Sequence, residues 1–208
     1  MKIPSHIAEG KSPPFPGGTY VGKLTEAKQE WYASDAKNKP DTKDSARLQL
    51  TFKEITPVEG PQVGARPLMQ RLDIIRPAQV GGPAISIVDV AQSGQWDESI
   101  PFGIRQSAAL FSQLALAFGA ASVDGTGNVD VELDEFITAL SGGVFNSREV
   151  LFTVEQRTYA SKTQKNPDGT GKSMTVSNVT AFASVGASVA PSPSEVEAEA
   201  TGPAVRTR

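Results

Sequence analysis

Two short segments of this chain hold the residue patterns that most resemble known ligand loops, one for phosphate and one for calcium. Asn166-Pro167-Asp168-Gly169-Thr170-Gly171-Lys172-Ser173 ends in the Gly-Lys-Ser of a phosphate-binding loop. That loop needs a glycine five residues before the second one, so that backbone amides can wrap the phosphates, and it must run from a strand into a helix. Asn166 stands in the glycine's place and a strand is expected to follow, so Pro-Asp-Gly reads better as turn chemistry at a hairpin tip. Residues 124–135, Asp-Gly-Thr-Gly-Asn-Val-Asp-Val-Glu-Leu-Asp-Glu, place oxygen ligands at positions 1, 3, 5, 9 and 12 of a twelve-residue loop, as an EF-hand does. Val129 occupies the position where the sharp turn wants glycine, and no second loop pairs with it. An acidic helix start, with Asp130, Asp134 and Glu135 favouring the helix dipole, is the competing account.

The rest of the chemical inventory works by exclusion. There is no cysteine and His6 is the only histidine. A disulfide scaffold, a thiolate or multi-histidine metal centre and a cysteine nucleophile are therefore ruled out, and a Ser-His-Asp triad would rest on one residue of the N-terminal segment. The expectation is a protein that is not an enzyme and uses no cofactor. No run approaches the roughly 20 apolar residues of a membrane span, and Lys2-Ile3-Pro4-Ser5-His6 lacks a signal peptide's apolar stretch. A soluble, cytoplasmic protein is expected.

Charge is unevenly placed. The 20 Lys and Arg against 23 Asp and Glu leave a net −3, which gives no global attraction to a polyanion. Residues 157–172 nevertheless carry Arg157, Lys162, Lys165 and Lys172 against Asp168 alone, with Tyr159 among them. Lys28, Trp31, Tyr32, Lys37, Lys39 and Lys43 form a similar cluster. Bases of single-stranded nucleic acid stack on aromatic rings while lysine and arginine neutralise phosphates, and both ingredients occur together in two places. A solvated lysine-rich surface is the plain alternative. Adjacent residues of a strand face opposite ways, so Trp31 and Tyr32 cannot both enter a core.

These residues must be held by a mainly β architecture. Residues 1–16, with four prolines, read as an irregular, flexible arm, either packed on the domain or disordered beside it. A first strand begins after Gly17-Gly18, and Trp31-Tyr32 could continue it after a bulge or turn; Ser34 to Ser45 is a mobile polar loop. Arg47 to Ile55 alternates strictly, with Leu48, Leu50 and Phe52 on one face and Arg47, Gln49, Thr51 and Lys53 on the other. Leu68 to Ile75 is a third strand, and Ile85 to Val90 is short enough to be strand or helix. Ser107 to Gly119 is a helix with Ser107 as N-cap and Gly119 as stop, and Leu133 to Leu140 is a second, halted by Gly142-Gly143. Val144–Thr158 and Met174–Phe182 pair as a closing hairpin joined by a long polar loop, and 184–208 is a disordered tail.

The glycine-led first strand (Gly17 to Gly22), the alternating second strand, the helix before the last strands, the re-entry Leu140-Ser141-Gly142-Gly143-Val144-Phe145 and the long-tipped hairpin together resemble the phage-encoded single-stranded-DNA-binding proteins of the OB-fold type. The resemblance covers residues 17–183 and is one of layout. It implies a small five-stranded barrel binding single-stranded DNA across one face and between its long loops, during phage replication or recombination in the host cytoplasm. Trp31, Tyr32 and Tyr159 would stack on bases, while Lys37, Lys39, Lys43, Arg157, Lys162, Lys165 and Lys172 would hold phosphates, with Arg47, Gln49 and Lys53 on the groove floor. Replication or recombination proteins could be met through the C-terminal tail, and a homo-oligomer is open. The tail departs from the acidic tip of many such proteins by ending Arg206-Thr207-Arg208. The alternatives are a virion structural or assembly protein, or calcium binding through residues 124–135.

Overall fold

A computed structural model describes residues 13–35, 38, 41–79, 82–166, 168 and 170–186, without the side chains of 162–164. Three long strands come first: β1 (Gly18–Tyr32), β2 (Ser45–Glu59) and β3 (Leu68–Pro77). A short β4 (Ala84–Ser86) leads into α1 (Ile87–Ser93), followed by α2 (Phe102–Ala117), the two-residue strands β5 (Ser122–Val123) and β6 (Val129–Asp130), and α3 (Leu133–Ser141). The chain closes with β7 (Glu149–Lys165) and β8 (Gly171–Ala183). All pairings are antiparallel, and six strands form one sheet in the order β4-β3-β2-β1-β7-β8.

The alternation read from Arg47 to Ile55 is the organising pattern of this sheet. Leu48, Leu50 and Phe52 are fully buried, and on β3 Leu68, Leu72 and Ile74 continue the same inner face. Near the start of β1 the pairing with β2 shifts register three times, between Thr19 and Tyr20, Val21 and Lys23, and Leu24 and Glu26. Such irregularities bend a strand and increase its twist. Gly22 makes the bend possible, since a Cβ there would stand 3.0 Å from the Phe152 ring and 3.1 Å from Ile55. The curled sheet encloses a chain of rings: Phe15 meets Tyr20 edge-on at 5.3 Å, Tyr20 stacks on Phe152 at 6.0 Å, and Phe52 lies 5.3 Å from Phe152 and 5.8 Å from Phe182.

Curling brings β3 and β8 towards one another, and α2 packs against both. The ladder does not close: the mainly β architecture expected is realised as an open six-stranded antiparallel sheet. Glutamines bridge the seam instead. Gln70 of β3 is buried and its Oε1 accepts the Val179 N–H at 3.0 Å, while Gln113 of α2 accepts the Phe182 N–H at 2.9 Å.

Other expectations need correction. The segment 159–173 is not a long loop: β7 and β8 continue through most of it, to Lys165 and from Gly171, and between them Asp168 accepts the N–H and hydroxyl of Thr170. Polar residues on a two-stranded ribbon carry no apolar period to announce a strand. No helix follows, which removes the phosphate-loop geometry. Ser107 is not a cap; α2 starts five residues earlier behind Pro101, and the buried Ser107 hydroxyl accepts the Asp73 N–H at 2.7 Å. Ile85 to Val90 is both alternatives in turn, a strand end and then a helix capped by Ser86. Residues 13–16 of the N-terminal segment take the packed alternative: Phe15 is buried, its carbonyl accepts from Gln156 and Ser177, and Arg66 donates to the Pro13 and Pro14 carbonyls. Residues 1–12 and the tail from 187 lie outside the described residues.

Replacing Gln70 with Ala removes the seam acceptor of the Val179 N–H, and is expected to lower the unfolding free energy by about 1–3 kcal/mol. Exposed Lys53→Ala should stay within about 0.5 kcal/mol of wild type. Urea denaturation of both variants checks this; equal midpoints would mean the seam is held by α2 alone.

Candidate nucleic-acid interface

The outer face of β1, β2 and β3 is ordered by register. Residues directly opposite one another on neighbouring strands project to the same side. Three rows result: Glu30–Arg47–Asp73, Lys28–Gln49–Arg71 and Glu26–Thr51–Met69. The first is charge-compensated, because Arg47 pairs with Glu30 through Nη2 at 2.9 Å and Nε at 3.0 Å. The second is basic: Arg71 donates through Nε to the neutral Gln49 amide at 3.1 Å, and Lys28 is exposed beside it. The third ends in Met69, whose apolar side chain is more than half exposed.

Beside the first row lies a cleft of about 710 Å³ whose walls include Tyr32, Arg47, Arg71, Asp73, Arg76 and Phe102. Asp73 organises it. Its Oδ1 accepts the Tyr32 hydroxyl at 3.2 Å, its Oδ2 accepts Arg76 Nη1 at 2.8 Å, and its own N–H ties β3 to Ser107 of α2. The Arg47 guanidinium lies 4.9 Å from the centre of the Tyr32 ring, within cation–π range. Burial pushes the Tyr32 hydroxyl above the ordinary tyrosine value, and the neighbouring Asp73 carboxylate adds to the shift. The bond to Asp73 likewise holds Arg76 more firmly protonated. At the base of the connection between β1 and β2, Asp44 accepts the Ser34 N–H at 2.7 Å and hydroxyl at 2.6 Å, which keeps its carboxyl below the usual range.

Of the residues singled out in the sequence, this face gathers Tyr32, Arg47 and Gln49. Trp31 is half exposed but, one residue from Tyr32, projects to the other side of β1. Lys43 is exposed in the adjoining connection, and Lys53 is exposed six residues along β2 from Arg47, about 20 Å at strand spacing. Arg157 and Tyr159 stand exposed on β7, the former 3.6 Å from Glu155 and the latter opposite Met174. Lys165 is exposed at the tip and Lys172 is half-buried on β8. Only Gly18 to Lys23 of β1 pair with β7, so the two aromatic-and-basic hairpins leave the sheet from opposite ends of β1. Lys37, Lys39 and the Lys162 side chain lie outside the described residues.

Arg71, Asp73, Arg76 and Phe102 escaped the sequence reading. The alternation Met69, Arg71, Asp73 against Leu68, Gln70, Leu72 held the signal for two of them. Phe102 offered none, since an apolar residue after proline is ordinarily read as core.

Within residues 124–135, positions 124–128 form a hairpin tip between β5 and β6, and Leu133 to Glu135 open α3. Asp124 Oδ1 accepts the Thr126 N–H, the Thr126 hydroxyl and the Asn128 N–H at 2.7–2.9 Å, between β5 and β6. Among the described residues no group of three or more acidic or histidine side chains is placed to hold a metal ion, and no helix is long and apolar enough to cross a membrane. Compared with protein-family models, curated proteins and solved structures, the chain matches none.

Asp73→Asn should bring the Tyr32 hydroxyl back towards the ordinary value of 10.0 in an ultraviolet titration, with Tyr32→Phe identifying the signal. A folded-state pKa raised above the unfolded one stabilises fully at pH below the unfolded value. The contribution of Tyr32 is therefore present below about pH 10 and lost as pH rises through the folded value, and Asp73→Asn should show less of that alkaline loss.

Proposed function

We propose that this chain binds and coats single-stranded DNA without catalysing a reaction, in phage DNA replication or recombination. The observation that carries the reading is the outer face of β1–β3, where the basic Lys28–Gln49–Arg71 row runs beside exposed Met69 and a cleft walled by Tyr32 and Phe102. Cations that follow a backbone, interleaved with flat apolar surfaces, are what a single strand needs from a partner that does not read its sequence.

The connectivity supports the same conclusion. Three antiparallel strands, a helical crossover and a final hairpin whose first strand returns to β1 give the order β3-β2-β1-β7-β8. This is the order of an OB fold, a barrel that is often only partly closed and that binds oligonucleotides on the face of its second and third strands. On this reading the β3–β8 seam is the barrel's closure, made by Gln70 and α2, with β4 added at its edge. The connection between β1 and β2 and the β7–β8 ribbon, with Tyr159 and its basic neighbours, are the two arms that extend the groove.

Oligo-dT titrations at low and moderate salt test the proposal. Binding should weaken steeply with salt, and Arg71→Ala should weaken it further while reducing the log–log salt slope by about 0.7, the loss of one phosphate contact. Trp31 and Trp96 are both partly exposed, so a Trp31→Phe variant assigns any quenching. Failure to retard the oligonucleotide at low salt would overturn the proposal.

A further inference from the structure

We infer that the cleft between β3 and the start of α2 is a pocket for one unstacked nucleotide of the bound strand, its base laid against Phe102 and its phosphodiester held by Arg71. This rests on the single-stranded-DNA reading and narrows it to a subsite. Phe102 is 68% exposed, more than any other large apolar side chain among the described residues, yet it sits on a cleft wall and not on a convex surface. A phenyl ring left in water contributes nothing to the core, and its free face is the surface on which a base stacks. The cleft's volume falls within the roughly 300–1,000 Å³ typical of small-ligand sites.

Charge complements the shape. Of the three arginines on the walls, Arg47 is paired with Glu30 and Arg76 with Asp73. Arg71 donates only to the neutral Gln49 amide, and no carboxylate pairs with it among the described residues. The cleft thus has one guanidinium beyond its ion pairs, matching the single negative charge of a phosphodiester. The two paired arginines act as walls: Arg47 fixes the Tyr32 ring, and Arg76 fixes Asp73.

Gly103 sets the spacing. A Cβ on this residue would collide with the Asp73 carboxylate and stand 3.0 Å from Arg76 Nη1. Glycine here leaves room for the Asp73–Arg76 pair against the first turn of α2, and its neighbour Phe102 lines the same cleft. The ring stands on the first residue of a 16-residue helix with its exposed face free.

The test uses the full chain, oligo-dT and the dinucleotide d(TpT). In amide NMR, d(TpT) is expected to shift the signals of Phe102, Gly103 and Gln106, and Phe102→Ala to abolish those shifts. The same variant should bind oligo-dT about tenfold more weakly, the loss of one base–aromatic stack, and Phe102→Trp should restore both. Because Phe102 is exposed, the alanine variant keeps the core intact, and circular dichroism confirms it. If wild type binds oligo-dT but Phe102→Ala binds it equally well and these amides stay still, the pocket is overturned while DNA coating stands. If wild type does not bind oligo-dT, the coating reading and the pocket fall together.

Discussion

A sheet that curls without closing brings two edges together whose backbone groups have lost water and found no ladder. Each buried N–H left unpaired costs on the order of 1–3 kcal/mol, so the geometry is tenable only if something else accepts those bonds. Here two side-chain amides do so, one from the facing strand and one from the helix that covers the gap. The position of α2 follows from that requirement. It must lie along the seam, and its first turn is therefore carried to the outer end of β3, where Asp73 and Ser107 lock strand to helix. The cleft, the exposed Phe102 and the Asp73–Arg76 pair all sit where they do because the seam needs a helix.

Charge on the outer face is unevenly distributed in a chain whose net charge is −3. Compensation and excess are segregated by row. Pairs such as Arg47–Glu30 have little net charge and serve to orient rings and walls, which is the use that partly buried ion pairs support best. The uncompensated cations fall on the next row along the strands, Lys28 and Arg71, with a neutral amide between them. Overall charge is thus a poor guide to the partner, because the period of the strand decides which charges share a surface.

Much of this was legible in the residues. Leu48, Leu50 and Phe52 announced both the strand and its inner face, and the same alternation made Arg47 and Gln49 outward-facing. Gly119 and Gly142-Gly143 marked helix ends through the backbone freedom they supply. The open seam was not legible, since nothing local distinguishes Gln70, a buried acceptor for a strand more than a hundred residues away, from any polar residue between hydrophobic neighbours. Ser107 misled for the opposite reason: a hydroxyl before an apolar face is the signature of a cap, and here it was claimed by tertiary packing. The candidate site was half visible, as a list of aromatics and cations along the chain. Which of them meet depends on register, and register is set by bulges that leave no sequence mark beyond Gly22.

The place of β1 in the strand order carries a consequence for how the protein is made. One of its ladders is a hairpin with β2, formed as soon as the next strand has emerged. The other requires β7, and the hydroxyls of Thr19 and Thr153 that meet across it are 134 residues apart in the chain. During synthesis the first three strands can assemble as a meander while one edge of β1 stays bare until almost three-quarters of the polypeptide has left the ribosome. Contacts this distant in sequence form late and slow folding. For that interval the molecule presents an open strand edge next to the apolar face that Phe152 and Phe182 will cover, the arrangement most prone to pairing with another chain. Lys23 and Glu54, charged and side by side near that edge, stand where a strand edge is commonly protected from such pairing.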